Sequence, residues 1–295
     1  MKTVKILLLS LCALSIPSIS RAEVADELIE IKNDKGFQLQ DSKAYFLFRI
    51  HKSGMQPNFM RIPTKLELDT YEESKRKTFL SVEKSLIEDR IKAIEKLRKK
   101  NNYKDIDESK VPPIPTLENF TYSYQAVFNS QNINLKTIFA DNGAQRTYLV
   151  EALPGNYVFY GIGHTLALST CLCLGSVSFS VEPGKIVDLG EIFIAEAATP
   201  SDIPELKSET GLGASINYGH NLLFSAAIRP ANANTPTPSE LPKARIYPAK
   251  YSAVGKFVEQ GAFNINRLAA IPGVLAYENG QAIDVSSGTI AKGAQ

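Results

Sequence analysis

The sequence has 295 residues, of which 44% are hydrophobic and 22% charged, and its 33 basic residues nearly balance its 31 acidic ones. A chain of this length and composition can bury a core in one large or two small domains, which excludes a disordered or disulfide-stapled class of protein. The balanced charge excludes a general affinity for nucleic acid.

The first 22 residues have the pattern of an export signal. A basic start precedes a short apolar run over residues 6–16, which is too short to span a bilayer. Ser20 and Ala22 place small side chains where signal peptidase requires them, so we expect cleavage between Ala22 and Glu23. The leader carries three basic residues and no acidic one, so the mature chain has a net charge near −1. We expect an exported protein of the periplasm or the medium, at most peripheral to the envelope, with no transmembrane segment in the mature chain.

The next region changes from strand to helix. Residues 44–50 are almost all apolar, as expected of a central strand covered on both faces. Residues 66–100 contain no glycine or proline and many charges, which predicts a long charged helix or a helical hairpin, inserted over 66–102 between strands. Its apolar residues recur at spacings of three and four: Phe79, Val82, Leu86, Ile87, Ile91, Ile94 and Leu97. The simpler interpretation is a helix packed by this face on the sheet; the alternative is a partner-docking arm.

Short alternating runs return from residue 120 to residue 194, beginning with a predicted strand at 120–128. Strands of this length and spacing are typical of a sandwich or barrel, and since every connection can be a hairpin we expect antiparallel pairing. We therefore predict a β-sandwich domain over 23–195 that includes the helical insertion. Residues 196–295 are rich in Pro, Ala and Asn but keep many apolar side chains, which predicts an extension partly wrapped on the sandwich.

Two resemblances bear on the fold and family. The run Leu153-Pro154-Gly155-Asn156-Tyr157 resembles the strand–turn–strand unit of transthyretin-like and carboxypeptidase-regulatory-like sandwich domains. Patches at 43–49, 171–177, 187–190 and 271–277 resemble a group of uncharacterised exported proteins of proteobacteria. The resemblances imply export and a mainly β, immunoglobulin- or transthyretin-like antiparallel sandwich, and they carry no catalytic residues.

Cys171 and Cys173 are the sharpest chemical feature. In a strand, residues two apart lie on one face, so the two sulfurs should lie together. Three interpretations stay open: a copper or zinc site with His164 as a third ligand, a disulfide, which needs a turn rather than extended backbone, or two buried core thiols.

No H-E-x-x-H, G-x-S-x-G or phosphate-loop motif occurs, and the histidines His51, His164 and His220 are scattered. The S-x-x-K matches at Ser74 and Ser81 lack the K-T-G and S-D-N motifs that accompany them in penicillin-binding enzymes. The sequence therefore predicts a non-catalytic structural or interaction role in the cell envelope, with no cofactor and with an envelope protein or surface ligand as partner. The alternative is a periplasmic metal-binding protein that uses the Cys171/Cys173 pair.

Overall fold

The computed structural model has a mainly β fold. It describes residues 28–34, 38–51, 55–102, 107–122, 130–133, 135–163, 169–211, 223–257 and 264–293. The strands in these ranges are β1 (Ile29–Ile31), β2 (Ala44–His51), β3 (Gln56–Arg61), β4 (Ser130–Asn132), β5 (Ala140–Asp141), β6 (Gln145–Ala152), β7 (Gly155–Gly163), β8 (Ser169–Cys171), β9 (Ser176–Val181), β10 (Ile186–Glu196), β11 (Phe224–Arg229), β12 (Ile246–Pro248), β13 (Ser252–Val254), β14 (Asn264–Ile265), β15 (Leu275–Glu278), β16 (Gln281–Asp284) and β17 (Thr289–Ile290). One α-helix, α1 (Lys65–Lys100), lies between β3 and β4 in the same ranges.

Most of these strands belong to two seven-stranded sheets. The first sheet has the order β1-β6-β2-β10-β11, with β5 beside β6 and β12 beside β10. The second has the order β13-β9-β7-β3-β4, with β8 beside β7 and β14 beside β8. The last three strands form a small antiparallel sheet of their own.

The two large sheets pack on each other through aromatic side chains. Phe46 of β2 lies 5.1 Å, centroid to centroid, from Phe59 of β3 and 5.8 Å from Phe179 of β9. Such pairs add stabilisation beyond the area they bury. On the opposite face of β2, Tyr45 and Leu47 are fully buried in a second apolar cluster. The prediction of a central strand covered on both faces is therefore confirmed.

The prediction that all strands pair antiparallel is wrong for the centre of the first sheet. β2 and β10 run parallel, with Tyr45 opposite Ile186, and β12 is also parallel to β10. A third parallel pair joins β8 and β14. These partners are far apart in the sequence, so no hairpin constrains their direction.

The predicted hairpin at the Leu153-Pro154-Gly155 run is also wrong. β6 ends at Ala152 in the first sheet, whereas β7 begins at Gly155 in the second, so this turn carries the chain from one sheet to the other. The strand predicted at 120–128 is not found at 120–122, and residues 123–129 lie outside the described part. Alternation identifies extended segments, but it does not identify their partners.

The C-terminal third contributes to both large sheets. β11 and β12 pair with β10 of the first sheet, and β13 pairs with β9 of the second. The predicted boundary after residue 195 falls inside β10, which ends at Glu196. Residues from this third therefore supply structural strands, beyond the surface wrapping that the sequence predicts.

The predicted helical insertion is a single helix of 36 residues. Its N-terminus is a capping box, in which the Thr64 hydroxyl accepts from the Glu67 N–H and the Glu67 carboxylate accepts from the Thr64 N–H. Its last turn carries Arg98, Lys99 and Lys100, whose positive charges interact favourably with the negative end of the helix dipole. Within the described residues, no helix combines the length and apolar character that a membrane span needs.

Candidate functional site

The predicted cysteine pair lies at the end of β8, and the structure brings its two sulfurs together. Cys171 is the last residue of the strand and Cys173 begins a turn, and the two side chains are 0% and 2% exposed. Their sulfurs are joined in a disulfide across Cα atoms 5.2 Å apart. The turn supplies the departure from extended backbone that such a short link requires.

The surroundings of the pair are apolar. Cys171 and Cys173 form a buried cluster with Tyr160, and Met60 and Phe257 pack against it. The backbone of the pair is also bonded to this cluster, since the Phe257 N–H donates to the Cys173 carbonyl over 3.1 Å. The sulfurs thus face packed apolar side chains.

The proposed third metal ligand, His164, lies outside the described residues. In the part of the chain that the structure describes, no three His, Cys, Asp or Glu side chains are grouped as a metal ion would require. A metal would need thiolates, whereas these two sulfurs are bonded to each other.

Of the remaining sequence candidates, the structure describes His51. The His51 ring stacks on Phe193 at a centroid distance of 5.3 Å, at the exposed end of β2. His220 and the predicted cleavage site between Ala22 and Glu23 lie outside the described residues.

The buried pair of Arg49 and Asp188 is the main polar feature that the sequence analysis missed. Arg49 on β2 donates from Nη1 and Nη2 to the two Asp188 carboxylate oxygens over 2.7 and 2.9 Å. These side chains are only 2% and 3% exposed. A signal was available, because each is a charged residue with large apolar neighbours in its strand, and such residues are buried only when paired.

This pair also holds a loop and a glycine turn in place. Arg49 donates from Nε and Nη2 to the Pro236 carbonyl, and the Gly190 N–H donates to Asp188 Oδ1 over 2.9 Å. The nearby Tyr251 hydroxyl donates to the Leu189 carbonyl, and burial, then the Asp188 charge, raise the pKa of that hydroxyl. The carboxylate is therefore committed to structural bonds.

A cavity of about 400 Å³ opens beside this pair. It lies between segments 231–237 and 243–248, and Asp188 and Lys243 are the charged residues in its lining. Both Asp188 oxygens already accept hydrogen bonds from Arg49. The arrangement anchors the loop over the first sheet.

Among the described residues, the aromatic contacts of α1 are with segment 107–122 and not with the sheets. Tyr71 contacts Tyr122 at 5.6 Å and Phe79 contacts Phe120 at 5.4 Å between ring centroids. Arg90 donates to the carbonyls of Val111 and Pro112. We call the segment 107–122 the strap, and α1 with the strap the arm. The expectation that α1 packs on the sheet by its apolar residues is wrong: Phe79 packs on Phe120 of the strap, and Ile87 and Ile91 stay exposed.

The arm joins the second sheet at its base. Arg61 of β3, only 4% exposed, donates from Nη1 to Glu67 Oε2 over 3.1 Å and from Nη2 to the other oxygen. This pairing and the Thr64 cap lower the pKa of Glu67 to about 2. With a rise of 1.5 Å per residue, the helix extends about 54 Å from this attachment.

An apolar stripe of α1 stays exposed. Phe79 is the only described residue of α1 that is buried. Leu66, Leu80, Ile87 and Ile91 are 76%, 56%, 42% and 52% exposed. At 100° per residue these four lie within a sector of roughly 60°, about 110° around the helix from Phe79. The arm therefore has one apolar face against the strap and a second face in solvent.

Comparison with protein-family models, with curated proteins and with solved structures finds no match to this chain.

Proposed function

We propose that the protein is exported to the cell envelope and acts there by non-catalytic binding through its helical arm. Export is supported by the leader sequence and by the resemblance to exported proteobacterial proteins. The periplasm or the medium is the proposed location, with attachment to the envelope by contact with another molecule.

The observation that carries this proposal is the exposed stripe on α1. A helix that packs on its own protein normally turns its apolar side chains inward. Here Leu80 and Ile91 are more than half exposed on a helix that contacts the strap by another face. A large exposed apolar surface framed by charges is typical of a binding site.

For the β part, we propose an immunoglobulin- or transthyretin-like sandwich as the scaffold of the arm. The face-to-face sheets and the crossing turn at residues 153–155 support this arrangement. The parallel β2/β10 pair departs from a purely antiparallel version of that fold. Function cannot be taken from the fold, so the proposal depends on the arm.

Fractionation of cells that express the full chain tests the proposal. We expect mature protein beginning at Glu23, partly retained with washed envelopes. The double variant Leu80→Gln/Ile91→Gln should fold normally but pass into the soluble exported fraction. Leu68→Gln is the matched control, because Leu68 is 42% exposed on α1 but lies outside the stripe. Cytosolic protein that retains Met1, or equal retention of the double variant, contradicts the proposal.

A further inference from the structure

We propose that α1 pairs with α1 of a second copy of this chain, antiparallel, about a two-fold axis near residues 85–86. This inference rests on the proposed function and names the partner of the arm. It follows from the spacing of the exposed residues on α1 and from the order of their charges.

The exposed face of α1 has the spacing of a coiled coil. Ten positions recur at intervals of three and four, and together we call them the seam: Leu66, Asp69, Glu73, Arg76, Leu80, Lys84, Ile87, Ile91, Ile94 and Arg98. Nine of them are exposed, and Ile94 is half-buried. At 100° per residue the seam covers a face of roughly 80°, the width that a paired helix buries. Its central part holds Leu80, Ile87, Ile91 and Ile94 with Lys84 among them, and charged residues lie on either side of this part.

The charges in the seam oppose a parallel pair. In a parallel two-fold pair each seam residue faces itself, so Glu73, Arg76 and Lys84 would each meet a like charge. Like charges at facing positions of a coiled coil act against that pairing.

The outer charges of the seam support an antiparallel pair, whereas the two Lys84 side chains lie near each other in either sense. With the axis near residues 85–86, Leu80 faces Ile91 of the second copy. In that register Glu73 faces Arg98 of the second copy. Lys84 faces Ile87 of the second copy, where its aliphatic stem can cover the apolar side chain while the ammonium reaches water.

The positions beside the seam agree with this register. Lys77 lies next to Glu95 of the second copy, and both are exposed. This contact occurs twice because of the two-fold axis. Lys77 pairs with Glu73 of its own helix over 2.6 Å, so it already points towards this side of the seam.

The overlap from residue 73 to residue 98 is about 39 Å long at 1.5 Å per residue. Only three central seam residues per copy are exposed and strongly apolar: Leu80, Ile87 and Ile91. A small apolar centre with charged flanks favours reversible pairing that depends on concentration and salt.

Sedimentation equilibrium of the purified mature chain at low salt tests the inference by charge exchange. Lys77→Glu and Glu95→Lys each place two like-charge contacts in the homodimer, so each should weaken dimerisation by about tenfold. In an equimolar mixture, the heterodimer brings the two substituted side chains, which carry opposite charges, together at one contact. Its second contact keeps the native pair of Lys77 and Glu95. The mixture should therefore dimerise as the wild-type chain does.

A second comparison tests the apolar centre. Ile91→Gln should weaken the dimer by at least about tenfold, since the loss occurs twice, whereas Leu68→Gln should leave it unchanged. Circular dichroism of all variants checks that α1 is intact. A wild-type chain that stays monomeric at every concentration, or a variant mixture that does not recover, overturns the inference.

The two proposals can fail separately. If the purified chain is monomeric while envelope retention still depends on Leu80 and Ile91, the partner is another molecule and only the self-pairing is refuted. If envelope retention also does not depend on these residues, the proposed function is refuted with it.

Discussion

Removing Arg49 should destabilise the protein strongly. In Arg49→Met the Asp188 carboxylate, 3% exposed, loses both hydrogen bonds from the guanidinium and keeps the one that the Gly190 N–H donates. The Pro236 carbonyl loses the two hydrogen bonds that Arg49 donates to it. Breaking a buried ion pair by removing one partner costs about 3–5 kcal/mol. For a chain of this size that corresponds to a fall in Tm of roughly 6–20 °C.

Urea unfolding followed by circular dichroism measures this loss. The double variant Arg49→Met/Asp188→Leu removes the uncompensated charge and should recover part of the stability, although the Pro236 carbonyl still lacks its donor. Lys43→Met is the matched control, because Lys43 pairs with Glu151 at 2.8 Å near the same strands but is 39% exposed. It should unfold with the wild-type midpoint. A loss below about 1 kcal/mol for Arg49→Met, or no recovery in the double variant, would refute the reasoning.

Three further outcomes are expected. Non-reducing mass spectrometry of the mature chain should find Cys171 and Cys173 joined and unreactive to a thiol reagent after denaturation, and a labelled thiol before reduction would contradict the disulfide. The pKa of Glu67 is lowered to about 2, mainly by Arg61, so its contribution to the free energy of unfolding is lost as the pH falls from about 4.5 to about 2. Glu67→Gln should lower the free energy of unfolding by about 1–2 kcal/mol above pH 4.5 and should flatten the acid titration of helicity. Glu83→Gln should do neither. Gly190→Ala should cost at least about 2 kcal/mol in urea unfolding, since at φ +86° its Cβ would meet the Arg229 carbonyl oxygen, against about 1 kcal/mol for Gly273→Ala, whose Cβ position is open.

The sequence predicts strands well where burial alone decides them. Residues 44–50 are apolar on both faces, and β2 lies at the centre of the first sheet. Its parallel neighbour β10 could not be predicted, because the pairing depends on contacts between distant segments. The Arg49–Asp188 pair belongs to that same long-range contact and was missed with it.

The turn at residues 153–155 shows the same limit of local patterns. Pro154 and Gly155 predict a change of direction, which the structure has. Whether the next strand returns beside β6 or crosses to the other sheet depends on which strand buries its apolar face. β7 crosses because β9 and β3 provide that surface.

For the candidate sites, the spacing of residues predicted which side chains lie together, but it did not predict what surrounds them. The i, i+2 rule places Cys171 and Cys173 together, as the structure does, but the sequence could not choose between metal, disulfide and free thiols. The helix was predicted within two residues of its observed ends. Its packing partner was not, because the bonds from Arg90 to the Val111 and Pro112 carbonyls join segments that no local pattern relates.

Stability alone does not account for the composition of α1. An isolated helix is marginal in water even when its sequence is favourable, so most helices are held by burying an apolar face. The strap buries such a face of α1, where Phe79 of the helix contacts Phe120 of the strap. Leu80, Ile87 and Ile91 add little to this packing because they point into solvent, where an exposed charged residue would serve the helix as well and would oppose aggregation. Three large apolar residues at intervals of seven and four, with Glu73 and Arg98 placed to face each other in an antiparallel pair, are the composition expected of a helix whose second face is buried by a partner.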